Sequence, residues 1–311
     1  MFIFEWLKRL GRKAPVQASP DPSPAVAGFD LVFGQQAAQR SKPASQVATV
    51  VIVGNCLSET MAAGLSTAAS EFKFVSVPLH LKSLSDEECR EALSVAKHVF
   101  VQGCVAHHTD EIRTITPSAC ELTSYPDVVL RGLWPFDEYS GHRDPLIGNV
   151  PGAIIHHHDG ALAKLREMEP DKKKRLQRYR ELDFDAARSI DRVIEAQQRF
   201  LEDIDKRSDA YFGRFISRNF KERQLFYDSV HPSAVMFQEL CEFCWRKLEI
   251  RGQTPFIQGM DVWREWAVPV HPQIARRLDL KWATAGTRYK YGPLGAMTWE
   301  EWVRTYIDTF G

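Results

Sequence analysis

Residues 47–56 read Val-Ala-Thr-Val-Val-Ile-Val-Gly-Asn-Cys. This short run, rich in β-branched residues and without a polar break before Gly54 except Thr49, predicts a parallel strand buried on both faces. The small residues from Asn55 onward keep helical spacing, so the strand ends at a tight glycine turn and feeds a helix. The pattern then repeats. Residues 72–80 alternate and predict a second strand, and 85–96, opened by Asp86, Glu87 and Glu88, predict a helix with acids at its N-terminal end. Residues 98–103 predict a third strand closed by Gly103, 108–118 a helix, and 127–131 a fourth strand. Strand–helix alternation of this kind implies an α/β fold, an open parallel sheet flanked by helices.

Outside this block the chain changes character. Residues 14–46 carry Pro15, Pro20, Pro22, Pro24 and Pro43 among Ala, Ser and Gln, the composition of a linker. Ahead of it, Phe2, Phe4, Trp6 and Leu7 precede Lys8, Arg9, Arg12 and Lys13. As a helix, residues 1–13 can lie at an anionic membrane surface; the other reading is a frayed terminal helix or a partner-docking stub. The order, apolar before basic, is the reverse of a secretory signal. Downstream, 164–183 is highly charged and reads as solvated. Residues 184–207 place Ile190, Val193, Ile194, Leu201 and Ile204 on one side of an amphipathic helix. Further helices are expected near 208–217 and over 233–248, the latter with Val235, Leu240, Cys241, Cys244, Trp245 and Leu248 inward. The tail from 252 is aromatic-rich and mostly irregular until a closing helix at 299–310. The expected division is a stub and linker at 1–46, an α/β domain at 47–250, and a C-terminal extension packed on it at 251–311.

Lysine plus arginine number 40 and aspartate plus glutamate 40, a formal charge of zero, with 44% apolar residues. No global positive field recruits nucleic acid, and no acidic excess points to a disordered chain. No apolar run approaches the roughly 20 residues that span a bilayer. Six cysteines are too sparse for a disulfide scaffold and suit a reducing, cytoplasmic compartment.

Two segments carry chemistry. Open α/β sheets bind ligands at the carboxyl ends of their strands, which is where Gly54-Asn55-Cys56 falls. A cysteine opening a helix feels the positive end of the dipole, which favours the nucleophilic thiolate. Asn55 is placed to donate to an oxyanion. Ser58 and Glu59 compete as hydroxyl nucleophile or polar partner, and a buried structural cysteine is the plain alternative. The second segment is Asp228-Ser229-Val230-His231-Pro232, a turn in which the carboxylate can orient the imidazole as a general base. Each is weak alone; Cys…Asp…His together is chemically complete. Of the remaining features, His156, His157 and His158 invite a metal reading, but adjacent strand residues alternate faces and no metal set is expected. Cys241 and Cys244 sit in an apolar helical pattern and read as core. Phe226 and Tyr227 read as packing.

The glycine turn after an apolar strand resembles the GDS turn of SGNH/GDSL hydrolases, and DSVH resembles their late DxxH block. More specifically, VVIVGNC, VFVQG and RNFKERQLFYDSVHPSAVMFQ resemble the capsular polysaccharide biosynthesis protein WcbI family over roughly residues 47–250. The resemblance implies an SGNH-like sheet, coenzyme A binding and acetyl transfer to a sugar. It assigns Cys56 the nucleophile position, Asp228 the orienting acid, His231 the base, and Gly103 an oxyanion-hole amide. The chain departs from the pattern in lacking a GxND block and in having Leu57 where Gln is usual. A CoA ligand brings a pyrophosphate and a 3′-phosphate, for which Arg214, Arg218, Lys221 and Arg223 are the expected contacts, Arg214 and Arg218 sharing a helix face. Arg131 and Arg143 are secondary candidates. His107 and His108, just after Gly103, border the strand-end crevice.

The resulting expectation is a CoA-dependent acyltransferase, acetyl-CoA being the donor and a glycan or nucleotide sugar the acceptor, at the inner face of the membrane. The alternatives are an esterase or deacetylase using water, or a non-catalytic CoA-binding scaffold of polysaccharide assembly. A sulfotransferase or glycosyltransferase lacks support, since no Gly-rich phosphate loop is present.

Overall fold

A computed structural model describes residues 47–69, 71–137, 159–184, 190–207, 210–250 and 261–310. The expectations for the N-terminal stub, the linker, Arg143 and the triple histidine lie outside these residues. By its internal contacts the chain divides into two compact units between Tyr125 and Pro126.

The first unit is the parallel sheet. Its strands are β1 (Ala48–Gly54), β2 (Phe72–Pro78), β3 (Ala96–Gln102) and β4 (Glu121–Tyr125). Their spatial order is β2-β1-β3-β4, all parallel, with Val53 opposite Val77 on one side and Val101 on the other. Helices α1 (Cys56–Ala68), α2 (Glu87–Ser94) and α3 (Thr109–Ile115) flank it. Val51, Val53, Val99 and Val101 pack with Leu93 of α2 and Ile112 of α3. Alternation turns Val50, Ile52 and Phe100 to the opposite face, and these are also fully buried. A central strand covered on both faces has no solvent side to mark with polar residues, which is why β1 reads as a continuous apolar run.

The fourth strand corrects the expectation. It lies at 121–125, not 127–131. Pro126 has no N–H to give a ladder, so pairing stops before it. Val128 and Leu130 are buried all the same, in a connector whose Leu130 N–H donates to the Ser229 carbonyl at 2.9 Å. Among the described residues β4 pairs only with β3 and forms the edge of the sheet, so its sequence, ELTSY, is half polar and carries a weak signal.

The second unit is mainly helical: α4 (Gly160–Met168), α5 (Lys172–Arg180), α6 (Ile190–Arg207), α7 (Phe212–Asn219), α8 (Ala234–Lys247), α9 (Pro272–Arg277) and α10 (Trp299–Phe310). A two-residue antiparallel pair, β5 (Tyr289–Lys290) and β6 (Ala296–Met297), lies in the tail. The charged segment at 164–183 is not merely solvated. Arg175, Leu176 and Tyr179 are buried on α5, and Arg175 Nε donates to the Glu169 carbonyl at 3.1 Å. On α6 the buried residues are Ile190, Leu201 and Ile204, while Val193 and Ile194 are half-buried. On α8, Met236, Phe237 and Phe243 join Leu240, Cys241, Cys244 and Trp245 inside, while Val235 and Leu248 are half-buried. Gly213 permits the close contact of α7 with α6: an added Cβ would stand 1.9 Å from the Leu201 carbonyl oxygen.

Candidate active site

The end of β1 is held from both sides. Leu79 N–H, just past β2, donates to the Gly54 carbonyl at 2.8 Å. From β3, Gln102 Oε1 accepts the Asn55 N–H at 2.9 Å. Gln102 and the Tyr125 hydroxyl crowd Gly54, where a Cβ would lie 2.4 Å from Gln102 Oε1 and 2.6 Å from Tyr125 Oη. Glycine is needed here for close approach of side chains, not for an unusual φ. Asn55 then caps α1: its backbone is extended and its Oδ1 accepts the Leu57 N–H at 3.0 Å. Its role is therefore first structural, with the amide nitrogen as the donor end.

Cys56 is the first residue of α1 and half-buried. Ser58, its competitor, is fully buried; its hydroxyl donates to the Asn55 carbonyl and pairs with Ser76 Oγ, both at 2.8 Å. That removes Ser58 as a nucleophile and makes it part of the turn. Glu59 is exposed. It acts on His80, beyond β2, whose imidazole pKa is lowered by partial burial against the raising effect of Glu59. Gly103 opens a 3-10 turn directly after β3 and is exposed. Because strand order reverses between β1 and β3, Asn55–Cys56 and Gln102–Gly103 occupy the switch point where open sheets take ligands. On the same turn His107 is exposed, and His108 Nδ1 lies 3.2 Å from Glu111 Oε2.

Asp228 and His231, in the second unit, meet as the DxxH spacing predicts. Asp228 Oδ1 accepts the N–H groups of Val230 (2.9 Å) and His231 (2.8 Å). Its Oδ2 lies 2.5 Å from His231 Nδ1. One carboxylate thus shapes the turn and orients the ring, so a base acting from this imidazole does so through Nε2. The turn is closed by the Tyr227 N–H to the His231 carbonyl (2.8 Å) and the Ser233 N–H to the Leu225 carbonyl (2.8 Å). Ser229 Oγ donates to Asp137 Oδ2. Phe226 and Tyr227 are buried, so they pack rather than offer a ring face to a ligand. Tyr227 Oη donates to Asp261 Oδ1 at 2.6 Å, and burial together with this carboxylate pushes the phenol pKa far up.

Asp261 also accepts the Ala234 N–H at 2.9 Å, capping α8 where Ser233 makes no side-chain cap. Two residues on, the indole of Trp263 stacks on the His231 imidazole, centroids 3.7 Å apart and planes at 19°. The tail therefore belongs to the histidine site. Sequence reading missed Asp261, Trp263, Asp137 and Gln102. Only Gln102 carried a signal, a polar residue ending the buried run VFVQ.

Arg214, Arg218, Lys221 and Arg223 are all exposed. Arg214 and Arg218 are on α7, whose start is tied down by Asp205 accepting from the Gly213 (2.7 Å) and Arg214 (2.8 Å) N–H groups. The Arg214 guanidinium lies 5.0 Å from the Tyr211 ring centroid. Arg131 is exposed at a 3-10 turn. Cys241 and Cys244 are fully buried and their thiol pKa values are pushed up by burial, the core reading of this CxxC. Among the described residues no three His, Cys, Asp or Glu side chains gather as a metal site, and no helix is long and apolar enough to cross a membrane.

A family profile described as polysaccharide biosynthesis enzyme WcbI matches residues 49–253, from the start of β1 past the Asp-His turn and α8. A solved structure of WcbI, described as a novel polysaccharide biosynthesis enzyme, is similar with a TM-score of 0.65 and 17% identity, covering 85% of this chain and 90% of that one. It is the native protein without a disulfide bond between CoA and one of its cysteines. At that identity the likeness speaks for the fold. No curated protein matches the chain significantly. The match of the profile over most of the chain settles the family: the chain belongs to the WcbI family of polysaccharide biosynthesis enzymes.

Proposed function

We propose that the protein is a CoA-dependent acyltransferase that moves an acyl group, acetyl in the simplest case, from an acyl-CoA thioester to a sugar hydroxyl during capsular or exopolysaccharide biosynthesis. The observation that carries the reading is the Asp228–His231 pair, a buried imidazole with Nδ1 spent on a carboxylate that also builds its turn. The naming of CoA with the similar WcbI structure supports CoA as the donor's carrier.

In direct transfer, His231 Nε2 takes the proton of the acceptor hydroxyl as its oxygen attacks the thioester carbonyl. The tetrahedral intermediate collapses, the C–S bond breaks, and the imidazolium returns the proton to the CoA thiolate. In the covalent route the Cys56 thiolate attacks first and CoA leaves as its thiolate, and the sugar hydroxyl, losing its proton to a base, then displaces the acyl group and frees the Cys56 thiolate. For that route the Asn55 amide and the Gly103 N–H are the proposed oxyanion donors. The exposed Arg214, Arg218, Lys221 and Arg223, with His107 and His108, are the proposed contacts for the CoA phosphates. Acyl-CoA is a cytoplasmic donor, so the reaction belongs on the cytoplasmic side of the membrane, with residues 1–13 as the proposed peripheral contact.

The test is release of CoA thiol from acetyl-CoA with and without nucleotide-sugar and oligosaccharide acceptors. Acceptor-dependent release supports the transferase. Deacetylation of an acetylated sugar by water without CoA replaces it with an esterase, and saturable CoA binding without turnover replaces it with a scaffold. An acyl-enzyme about 42 Da heavier than the free protein, lost in Cys56→Ala, selects the covalent route; full turnover by Cys56→Ala removes Cys56 as nucleophile.

A further inference from the structure

The carboxylate of Asp228 fixes where the His231 Nδ1 points, and a hydrogen bond at one ring atom does not by itself define the plane of the ring. The plane is set by a residue 32 positions later. Trp263, on the 3-10 turn Val262–Glu265, lies over the imidazole with centroids 3.7 Å apart and planes 19° from parallel. Elsewhere in the same unit Trp266 meets Tyr291 edge-on at 84° and His271 meets Trp299 at 80°, while Trp299 stacks on Tyr179 at 8° with centroids 5.8 Å apart. At 3.7 Å the Trp263–His231 stack is closer than any of these contacts. It is also fastened on both sides. Asp261 accepts from Tyr227 Oη (2.6 Å) and Ala234 N–H (2.9 Å), and Val268 N–H donates to the Tyr227 carbonyl at 2.7 Å. The stretch bearing Trp263 is therefore bonded before and after it to the segment bearing His231.

We propose that Trp263 is a positioning residue for His231: its indole face locks the imidazole plane and favours the imidazolium that forms when the base takes a proton. The negative face of an indole attracts a cation, and a ring held on one face and at Nδ1 presents Nε2 in one direction. Among the described residues, the charged and titratable groups around the pair include Asp228 on the same turn, Asp261 and Arg264 on the turn of Trp263, Tyr227 bonded to Asp261, and Asp137 reached through Ser229. The catalytic meaning of this contact rests on the acyl-transfer reading, but its detection does not.

An imidazolium stacked on an indole quenches its fluorescence. Among the described tryptophans, Trp263 is the one stacked on His231, so its emission should follow the titration of that histidine. The wild-type protein, without any acyl-CoA, is expected to show a pH-dependent emission phase that is absent from both His231→Gln and Trp263→Phe. Identical pH curves for wild type and His231→Gln would overturn the proposal. In imidazole NMR the His231 midpoint should move to lower pH in Trp263→Leu, and an unmoved midpoint counts against it. In turnover, Trp263→Leu should lower kcat by about 10-fold or more with KM for acyl-CoA within about twofold, and Trp263→Phe should recover most of the rate. Should Trp263→Leu fail to fold, the comparison of wild type with His231→Gln decides alone. Because the spectroscopic arms use neither donor nor acceptor, they remain decisive even if the acyl-transfer reading fails.

Discussion

Replacing Gly54 by alanine tests how the end of β1 is built. The new methyl would stand 2.4 Å from Gln102 Oε1, 2.6 Å from Tyr125 Oη and 3.1 Å from Gln102 Cβ. Neither neighbour can swing into solvent, since Gln102 is 1% and Tyr125 0% exposed. Forcing them aside costs about 1–3 kcal/mol as overpacking. Moving Gln102 also breaks its bond from the Asn55 N–H, worth about 1 kcal/mol at this half-buried position. Alanine returns roughly 0.4–1 kcal/mol by stiffening the unfolded chain. The net expectation is a loss of about 2–3 kcal/mol, read by equilibrium urea unfolding. In a Gln102→Ala background the first clash and the broken bond are already gone. The same substitution should then cost at least about 1 kcal/mol less, the remainder being the contacts with Tyr125 and with the Cβ that alanine keeps at position 102. A loss below about 0.5 kcal/mol, or equal losses in both backgrounds, would refute the reasoning.

Asp228→Asn keeps an oxygen for the Val230 and His231 N–H groups but loses the carboxylate at Nδ1, so it should fold normally and lose about 10²- to 10⁴-fold in kcat; unchanged turnover would reject the pair as the base. His271 is buried, donating from Nε2 to the Tyr179 carbonyl and accepting the Gln273 N–H at Nδ1, and burial pushes its pKa down to about 4. The unfolded chain therefore holds the extra proton between its ordinary pKa near 6.5 and about 4. Stability should fall by up to about 3 kcal/mol as pH drops through that window and level off below it, a slope that His271→Gln removes; an equal slope in both proteins would refute this. A thiol reagent should modify Cys104, Cys56 and Cys120 in the folded protein and reach the buried Cys89, Cys241 and Cys244 only on unfolding. Mass-mapped labelling of Cys241 or Cys244 in the native state would contradict their place in the core.

The parts of the fold legible in the sequence were those where one physical demand dominates. β1 and β3 are covered on both faces, so continuous apolar runs announced them, and the glycine closing β1 and the one following β3 marked the strand ends. The edge strand β4 carries no such demand, and the buried Val128–Leu130 connector after Pro126 imitated it. The charge of α5 hid its packing, because Arg175 and Tyr179 are buried through polar partners that composition does not reveal. At the site, Asp228 and His231 were legible because one turn contains both. Trp263 and Asp261 come from a stretch without periodicity thirty or more residues from His231, and only the folded chain brings them to the histidine. Asn55 was read as an oxyanion donor, whereas the cap it makes for α1 through Oδ1 is its first task.

The central claim is that His231 is the base of an acyl transfer from CoA. It is tested most directly by the rate of acceptor-dependent thiol release from acetyl-CoA, comparing wild type with His231→Ala at matched folded fraction. The predicted result is release that needs the sugar acceptor and falls by about 10²-fold or more in the variant. Release at the wild-type rate from His231→Ala would contradict it.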